Sequence, residues 1–327
     1  MDRVASVRPS NDTLELVPRT ELPGPVLEVD LPGLEIGCAE YDEGPTGCTV
    51  FHFPDGASLQ TDIRGGSPGT FGGTYEWVNT ICLAGGSLYG LEAVSGVAAE
   101  LFGRREYRTG WLDIPLVAGA IIFDYGPRDN GVYPDKALGR AALRAARPGV
   151  FPLGARGAGR SATVGKTFGL EEREPSGQGS AFRRIGETRI AVFTVVNAVG
   201  AVVDRDGTVV RGHLDAVTGG RRALVAGVEE RLAANLPTHA PPGNTTLTVV
   251  VTNQTLDARL LRTLGRQVHA SMARAIQPFH ALVDGDVLYA VSTNDVENAA
   301  LDTIALGVVA SELAWDAVLA AIPEPTA

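Results

Sequence analysis

Cysteine is scarce. Cys38, Cys48 and Cys82 are the whole complement of a 327-residue chain, an odd number with no C-x-x-C spacing. That pattern supports neither a disulfide framework nor a thiolate zinc site. It suits three small core residues in a reducing compartment, so a cytoplasmic protein is expected. Basic clusters are missing too: 28 basic residues stand against 38 acidic ones, the formal charge is −10, and no basic run exceeds a pair. Phosphate backbones need clustered cations, so nucleic acid is excluded as a partner. The longest apolar run, Leu116 to Phe123, falls well short of the roughly 20 residues that cross a bilayer, so no membrane span is expected. The first twenty residues mix charges with prolines, which argues against a signal peptide. Aromatics amount to 6%, yet hydrophobic residues reach 44% against 20% charged, the balance of a folded globular protein rather than a disordered one. One large layered α/β domain of this length can hold a single core.

Taken in order, residues 1 to about 25 read as a loose arm of the kind used between subunits. Glu35 to Phe53, with the turn Glu43-Gly44-Pro45, reads as a hairpin ending at Pro54-Asp55-Gly56. Gly65-Gly66 and Gly72-Gly73 bracket a glycine-rich loop. Leu83 to Leu91 leads into a close-packed helix through Glu100; its glycines lack a following Gly-Lys-Ser/Thr, so no nucleotide phosphate site is expected. A strand at Leu116 to Phe123 precedes a helix from Asp135 to Arg147, with Pro134 at its first helical position. Gly154 to Arg160 is flexible, and Ser161 to Lys166 forms a short strand or turn. Ile190 to Val196 is a buried strand, and a second hairpin turns at Asp204 to Gly207. Asn235 to Asn244 makes an exposed linker of the kind that tolerates cutting. Leu256, Leu260, Leu261, Leu264, Val268, Met272 and Ile276 recur at helical spacing over about five turns. His269 and His280 read as ordinary polar residues without a catalytic role. Asn298 to Ile322 is a nearly all-apolar helix, buried between layers or against a partner.

The chemistry gathers around Pro241-Pro242-Gly243-Asn244-Thr245-Thr246. A Pro/Gly loop runs into the β-branched stretch Leu247 to Thr252, the composition of a strand buried on both faces. Two readings stay open here. In the plain one, a loop precedes a core strand. In the sharper one, the chain cuts its own Asn244–Thr245 bond, and Thr245 then carries its hydroxyl beside a free α-amine. That amine titrates near pH ~8, so about a tenth or more is neutral at working pH and can accept the hydroxyl proton. Asn197, at a strand end, is either a turn residue or an amide donor to a developing oxyanion. In Asp284-Gly285-Asp286, strand alternation points both carboxylates one way, whereas a hairpin reading makes Asp-Gly a turn. Two carboxylates converging in a closed site raise one pKa unless a cation sits beside them. Lys166 is the candidate cation; its plain reading is a surface lysine.

A resemblance rests on several motifs in one order: Tyr41-Asp42-Glu43-Gly44-Pro45-Thr46-Gly47, Leu83-Ala84-Gly85-Gly86, Val132 to Arg140, Gly177 to Arg184, Gly243-Asn244-Thr245-Thr246, and Gln277-Pro278-Phe279-His280 with Asp284-Gly285-Asp286. Over roughly residues 30 to 320 the chain resembles the 6-aminohexanoate oligomer hydrolases (nylon oligomer hydrolases) of the wider L-aminopeptidase/D-esterase family, self-processing enzymes with an N-terminal nucleophile. The resemblance implies a four-layer αββα sandwich. It also implies cleavage between Asn244 and Thr245 into an α part (1–244) and a β part (245–327) that stay folded together as one domain, and a tetramer of these heterodimers. It sets the nucleophile on Thr245, the oxyanion-side asparagine on Asn197, the active-site lysine on Lys166 and the two orienting carboxylates on Asp284 and Asp286. Close relatives carry a tyrosine where this chain has Phe123. Tyr125, two residues on and facing the same side of the strand, is the candidate replacement.

The expected activity is hydrolysis of linear or cyclic 6-aminohexanoate oligomers, up to nylon-6 itself, through an acyl-enzyme on Thr245 and without metal or cofactor. The alternatives are an aminopeptidase, esterase or β-peptidase of the same fold, an acyltransferase that needs a site for an amine acceptor, and an uncut binding protein in which Asn244-Thr245 is only a loop.

Overall fold

The computed structural model describes residues 8–72, 74–126, 128–237 and 240–323. The expectations for the first seven residues of the arm, for Gly73 in the glycine loop and for Thr238 and His239 in the linker lie outside the described residues.

The β-branched and alternating runs form nine strands of one continuous sheet: β1 (Glu35–Tyr41), β2 (Thr46–Ile63), β3 (Thr70–Phe71), β4 (Trp77–Ala84), β5 (Val117–Ile121), β6 (Gln178–Ile185), β7 (Thr188–Asn197), β8 (Thr245–Gln254) and β9 (Val287–Val296). Their order is β6-β7-β8-β9-β2-β4-β5-β3, with β1 beside the first half of β2. The β8–β9 and β4–β5 pairs are parallel and the other pairs antiparallel. All ten residues of β8 are buried, as its β-branched composition demands.

One strand builds the second layer. Pro54-Asp55-Gly56, expected to end the first hairpin, only shifts the register between His52 and Ala57, and β2 continues to Ile63. Pro54 has no N–H to offer a ladder and Gly56 adopts φ 78°, so the strand bends there without stopping. Its first half pairs with β1 and β4, its second half with β9. The sheet therefore folds over, and its halves face each other. Phe51 of β2 meets Phe193 of β7 at 4.9 Å between ring centroids, and the Tyr289 hydroxyl of β9 donates to the Gly119 carbonyl of β5 at 2.8 Å.

The described residues form five helices: α1 (Leu91–Arg104), α2 (Lys136–Arg144), α3 (Leu224–Ala233), which the sequence reading does not anticipate, α4 (Ala258–Ser271) and the nearly all-apolar α5 (Thr303–Ala320). Outward-facing Val192, Val250 and Leu288 pack under α4 and α5, while Tyr41, Val50 and Cys82 pack under α1 and α2. The outcome is the expected αββα sandwich.

Aspartate caps account for the differences at helix ends. Asp135 accepts the Leu138 N–H at 3.0 Å, so α2 starts at Lys136 and Pro134 stands before the cap rather than at the first helical position. Asp257 accepts from Leu260 N at 2.7 Å and Asp302 from Ala305 N at 2.8 Å, which leaves Leu256 and the Asn298 to Leu301 stretch outside α4 and α5. Ile276 also lies beyond α4, in a two-residue strand paired with Ala201–Val203. Leu256 and Ile276 still join the core beneath α4, which is why they matched its periodicity.

Candidate active site

Three neighbouring strands bring their ends to one edge of the sheet. β7 finishes at Asn197, antiparallel to it β8 starts at Thr245, and the two residues are register partners. β9 runs parallel to β8, so the Asp284-Gly285-Asp286 segment that precedes it arrives at the same edge. Asn197, Thr245, Asp284, Asp286 and Lys166 are each 3% exposed or less. The structure thus brings together all five residues that the sequence singled out.

The bond before Thr245 sits inside the protein. The linker is exposed at Asn235 to Pro237 and at Pro242, as expected, but its last residue, Asn244, is only 2% exposed. The chain dives inward because Asn244 forms a parallel bridge with Asp284, and the Gly285 N–H donates to the Asn244 carbonyl at 2.8 Å. The Thr245 hydroxyl is in short contact with that same carbonyl oxygen. The carbonyl is therefore polarised by one donor while the hydroxyl of the next residue lies against it.

Glycine at 285 is required by this packing. A Cβ there would stand 2.7 Å from the Ser67 carbonyl oxygen and 2.8 Å from Thr245 Oγ1. The Gly65-Gly66 loop presses backbone to backbone on the same segment, with Ser67 N donating to Asp284 O at 2.9 Å. The two aspartates are neither consecutive outward positions of a strand nor a hairpin turn, because β9 begins only at Val287. Asp284 accepts from Val199 N and Ala281 N, both at 3.2 Å, and Asp286 accepts from Thr246 N at 2.7 Å.

Lys166 is buried, against the surface reading. It is one of two lysines in the chain, Lys136 being the other, a rarity that could have drawn attention to it in a protein whose cations are otherwise arginines. Its ammonium donates to the Asn197 backbone carbonyl and to Asn197 Oδ1, each at 3.1 Å. Burial lowers its pKa to about 7, with Asp284 pulling the other way through space. Burial and then the repulsion of Asp286 push Asp284 up to about 7. Asp284 is thus raised mainly by burial, despite the neighbouring cation, whose hydrogen bonds go to Asn197.

Asn197 Nδ2 donates to the Phe123 carbonyl at 2.9 Å, and its Oδ1 also accepts from Thr163 N at 3.0 Å. One amide proton remains for another acceptor. Phe123 itself packs on Gly243, where a Cβ would approach the ring to 2.4 Å. Tyr125 does not stand in for the tyrosine missing at Phe123 by alternation, since β5 ends at Ile121. Its ring meets Phe123 edge-on at 5.8 Å and lies under the Arg128 guanidinium at 4.7 Å, and burial raises its hydroxyl to about 12. Beyond it, Tyr89, Tyr125 and Tyr133 wall a cavity of about 300 Å³.

Sequence reasoning passed over two groups that touch the site. The Gly285 N–H is a backbone donor, invisible in a residue pattern until the fold aims it. His280 donates from its backbone N–H and from Nδ1 to Asp286 Oδ2, both at 3.0 Å. Its place in the motif Gln277-Pro278-Phe279-His280, six residues before Asp286, was the available signal.

Among the described residues no cluster of His, Cys, Asp and Glu could hold a metal ion. Residues 29–326 match Peptidase family S58. The chain is 48% identical over 323 residues to the 6-aminohexanoate-oligomer endohydrolase of Agromyces sp. (strain KY5R), covering 96% of this chain and 90% of the relative. The protein of the same description from Paenarthrobacter ureafaciens matches at the same identity and coverage. The solved L-aminopeptidase D-Ala-esterase/amidase of Ochrobactrum anthropi, described as a variant of the Ntn-hydrolase fold, superposes with a TM-score of 0.63 over 92% of this chain and 88% of that one, at 16% identity. The chain belongs to peptidase family S58, and it is an amide-bond hydrolase with the Ntn-hydrolase fold.

Proposed function

We propose that this protein is a self-processing N-terminal threonine amidase that hydrolyses the amide bonds of 6-aminohexanoate oligomers. The observation that carries the reading is the buried Asn244 carbonyl, held by the Gly285 N–H at 2.8 Å with the Thr245 hydroxyl against it. A bond so enclosed is out of reach of another protease and within reach of its own neighbour. Before cleavage no α-amine exists, so the Asp284 carboxylate and Lys166, both poised near pH 7, are the proton acceptors available to the first attack.

In the cut enzyme the Thr245 hydroxyl attacks the substrate carbonyl and passes its proton to its own neutral α-amine. The free Asn197 amide proton stabilises the tetrahedral oxyanion. Collapse breaks the C–N bond, the proton moves from the α-ammonium to the departing amine, and an ester on Thr245 remains. Water then opens the ester with the same amine as base. Asp286, bonded to Thr246 N, and Asp284 hold the new terminus in line. The apolar length of a 6-aminohexanoate unit suits the tyrosine-walled cavity beyond Phe123.

Assembly as a tetramer of cut heterodimers in the cytoplasm is part of this reading. Trp111 and Leu112, 86% and 94% exposed, supply an apolar contact patch, and the three free, buried cysteines suit a reducing compartment.

The test is Thr245→Ala. The wild type is expected to run as two bands near roughly 25 and 9 kDa, the shares of 34.2 kDa that fall to 1–244 and 245–327. The variant is expected as one uncut, inactive chain by intact mass. Two bands from Thr245→Ala would overturn the mechanism. A faster rate on an amino-acid amide than on a 6-aminohexanoate oligomer would favour the aminopeptidase alternative.

A further inference from the structure

Behind Asp286 lies a buried chain of side chains that the mechanism above does not use. Asp62, near the end of β2, accepts from His269 Nδ1 on α4 at 2.9 Å, and Arg64 Nε anchors the same Asp62 oxygen at 2.6 Å. The His269 ring meets the His280 ring edge-on, with centroids 4.4 Å apart. His280 gives two donors to Asp286 Oδ2, and Asp286 Oδ1 takes the Thr246 N–H. The run thus passes from a partly exposed arginine to the backbone of the residue after the nucleophile.

The tautomers follow from the partners. A carboxylate only accepts, so each ring carries its proton on Nδ1. The Nε2 atoms of His269 and His280 are buried with no hydrogen-bond partner among the described residues. Phe279 packs 3.9 Å from the His280 ring and 5.6 Å from the His269 ring, between centroids. Protonating His269 would bury an unpaired N–H donor in apolar surroundings, and burial lowers its pKa accordingly. The Nδ1–H bonds to Asp62 and Asp286 thus fix the orientation of both rings. His280 also adopts φ 60°, a left-handed conformation that asparagine tolerates well and most other residues do not.

We propose that His280, braced by His269 and Asp62, is a positioning residue for the nucleophile: its Nδ1–H fixes the Asp286 carboxylate, which holds Thr246 N and hence the main chain of Thr245. This rests on the reading of Thr245 as nucleophile. His280 touches no substrate and transfers no proton. Its work is to aim a carboxylate that would otherwise keep one donor fewer.

Two amide variants of the full chain, read by kcat together with Tm because glutamine is also disfavoured at φ 60°, separate positioning from packing. In His280→Asn the side-chain amide nitrogen overlays Nδ1, whereas in His280→Gln it overlays Nε2, which has no partner to serve. His280→Gln is expected to slow self-cleavage and to lower kcat on a 6-aminohexanoate oligomer on the order of a hundredfold, with KM within about twofold. His280→Asn is expected to restore kcat to within about fivefold of the wild type. A wild-type kcat for His280→Gln, or equal losses in both variants tracking an equal fall in Tm, overturns the proposal. If His280→Gln does not fold, His280→Asn decides alone: near-normal kcat supports the Nδ1 role and a hundredfold loss refutes it. Thr245→Ala run in parallel distinguishes the two failures, because hydrolysis by that variant removes the nucleophile itself, whereas a dead Thr245→Ala beside an unaffected His280→Gln removes only the positioning role.

Discussion

At Lys166 and Asp284 burial and charge pull in opposite directions, and the pH dependence of stability records the outcome. Asp284 is raised to about 7, so the folded protein keeps a proton there that the unfolded chain gives up, and stability falls as pH rises from its ordinary value toward 7. Lys166 is lowered to about 7, so above that pH the unfolded chain holds the extra proton and stability climbs again toward the ordinary lysine range. The two slopes meet in a minimum near neutrality. A Lys166→Met/Asp284→Asn double variant, inactive by design, is expected to gain most in Tm over the wild type near pH 7 and less near pH 4 and pH 10. Thermal melts across that range check it. The same enclosure predicts the fate of Gly285→Ala. Its methyl group would meet the Ser67 carbonyl and Thr245 Oγ1 below 3.0 Å, pushing carbonyl and hydroxyl apart. Self-cleavage is expected to slow by about tenfold or more, read as the uncut fraction on a denaturing gel over time.

Among the elements, β7, β8 and β9 matter most, because they set the ends that form the site and cross-link the two layers. Phe193 of β7 is fully buried, and its ring lies 4.9 Å from Phe51 and 5.0 Å from Phe151. Removing it opens the shared core on the side facing the other half of the sheet. Phe193→Ala is expected to cost about 3–5 kcal/mol, measured as a lower denaturant midpoint at unchanged slope. The bend in β2 is a second element-scale device. By passing from β1 and β4 to β9, one strand supplies both layers, and it brings Asp62 beneath α4 where His269 finds it.

For the molecule as a whole, the proposed cleavage would change connectivity without freeing either piece. β8 belongs to the downstream part and lies between β7 of the upstream part and β9, which in turn pairs with β2 of the upstream part. The cut protein is expected to elute as one species under native conditions, with the two bands separating only on denaturation. Exposed Trp111 and Leu112 carry the proposed assembly contact. A Trp111→Ser/Leu112→Ser variant is expected to cut itself normally while its mass by light scattering falls below that of the tetramer. An unchanged mass would move the contact elsewhere.

Much of this protein was legible in its sequence, and the reason is local. The β-branched run after Thr245, the apolar periodicity of α4, and the ordered motifs around Asn244, Asp284 and Asp286 each act within a few residues, so composition and spacing carry them. The five candidate site residues were also singled out before any fold was known, as residues of suitable chemistry whose roles the family resemblance then assigned. Tertiary structure alone decided how they are aimed and charged. Asp62 and His269 stand 207 positions apart, the Gly285 N–H faces the Asn244 carbonyl only once β8 and β9 lie parallel, and Lys166 and Asp284 reach pKa values near 7 only when water is removed from around them. Distance across the chain and the loss of solvent are properties of the assembled layers, and no local pattern of residues encodes them.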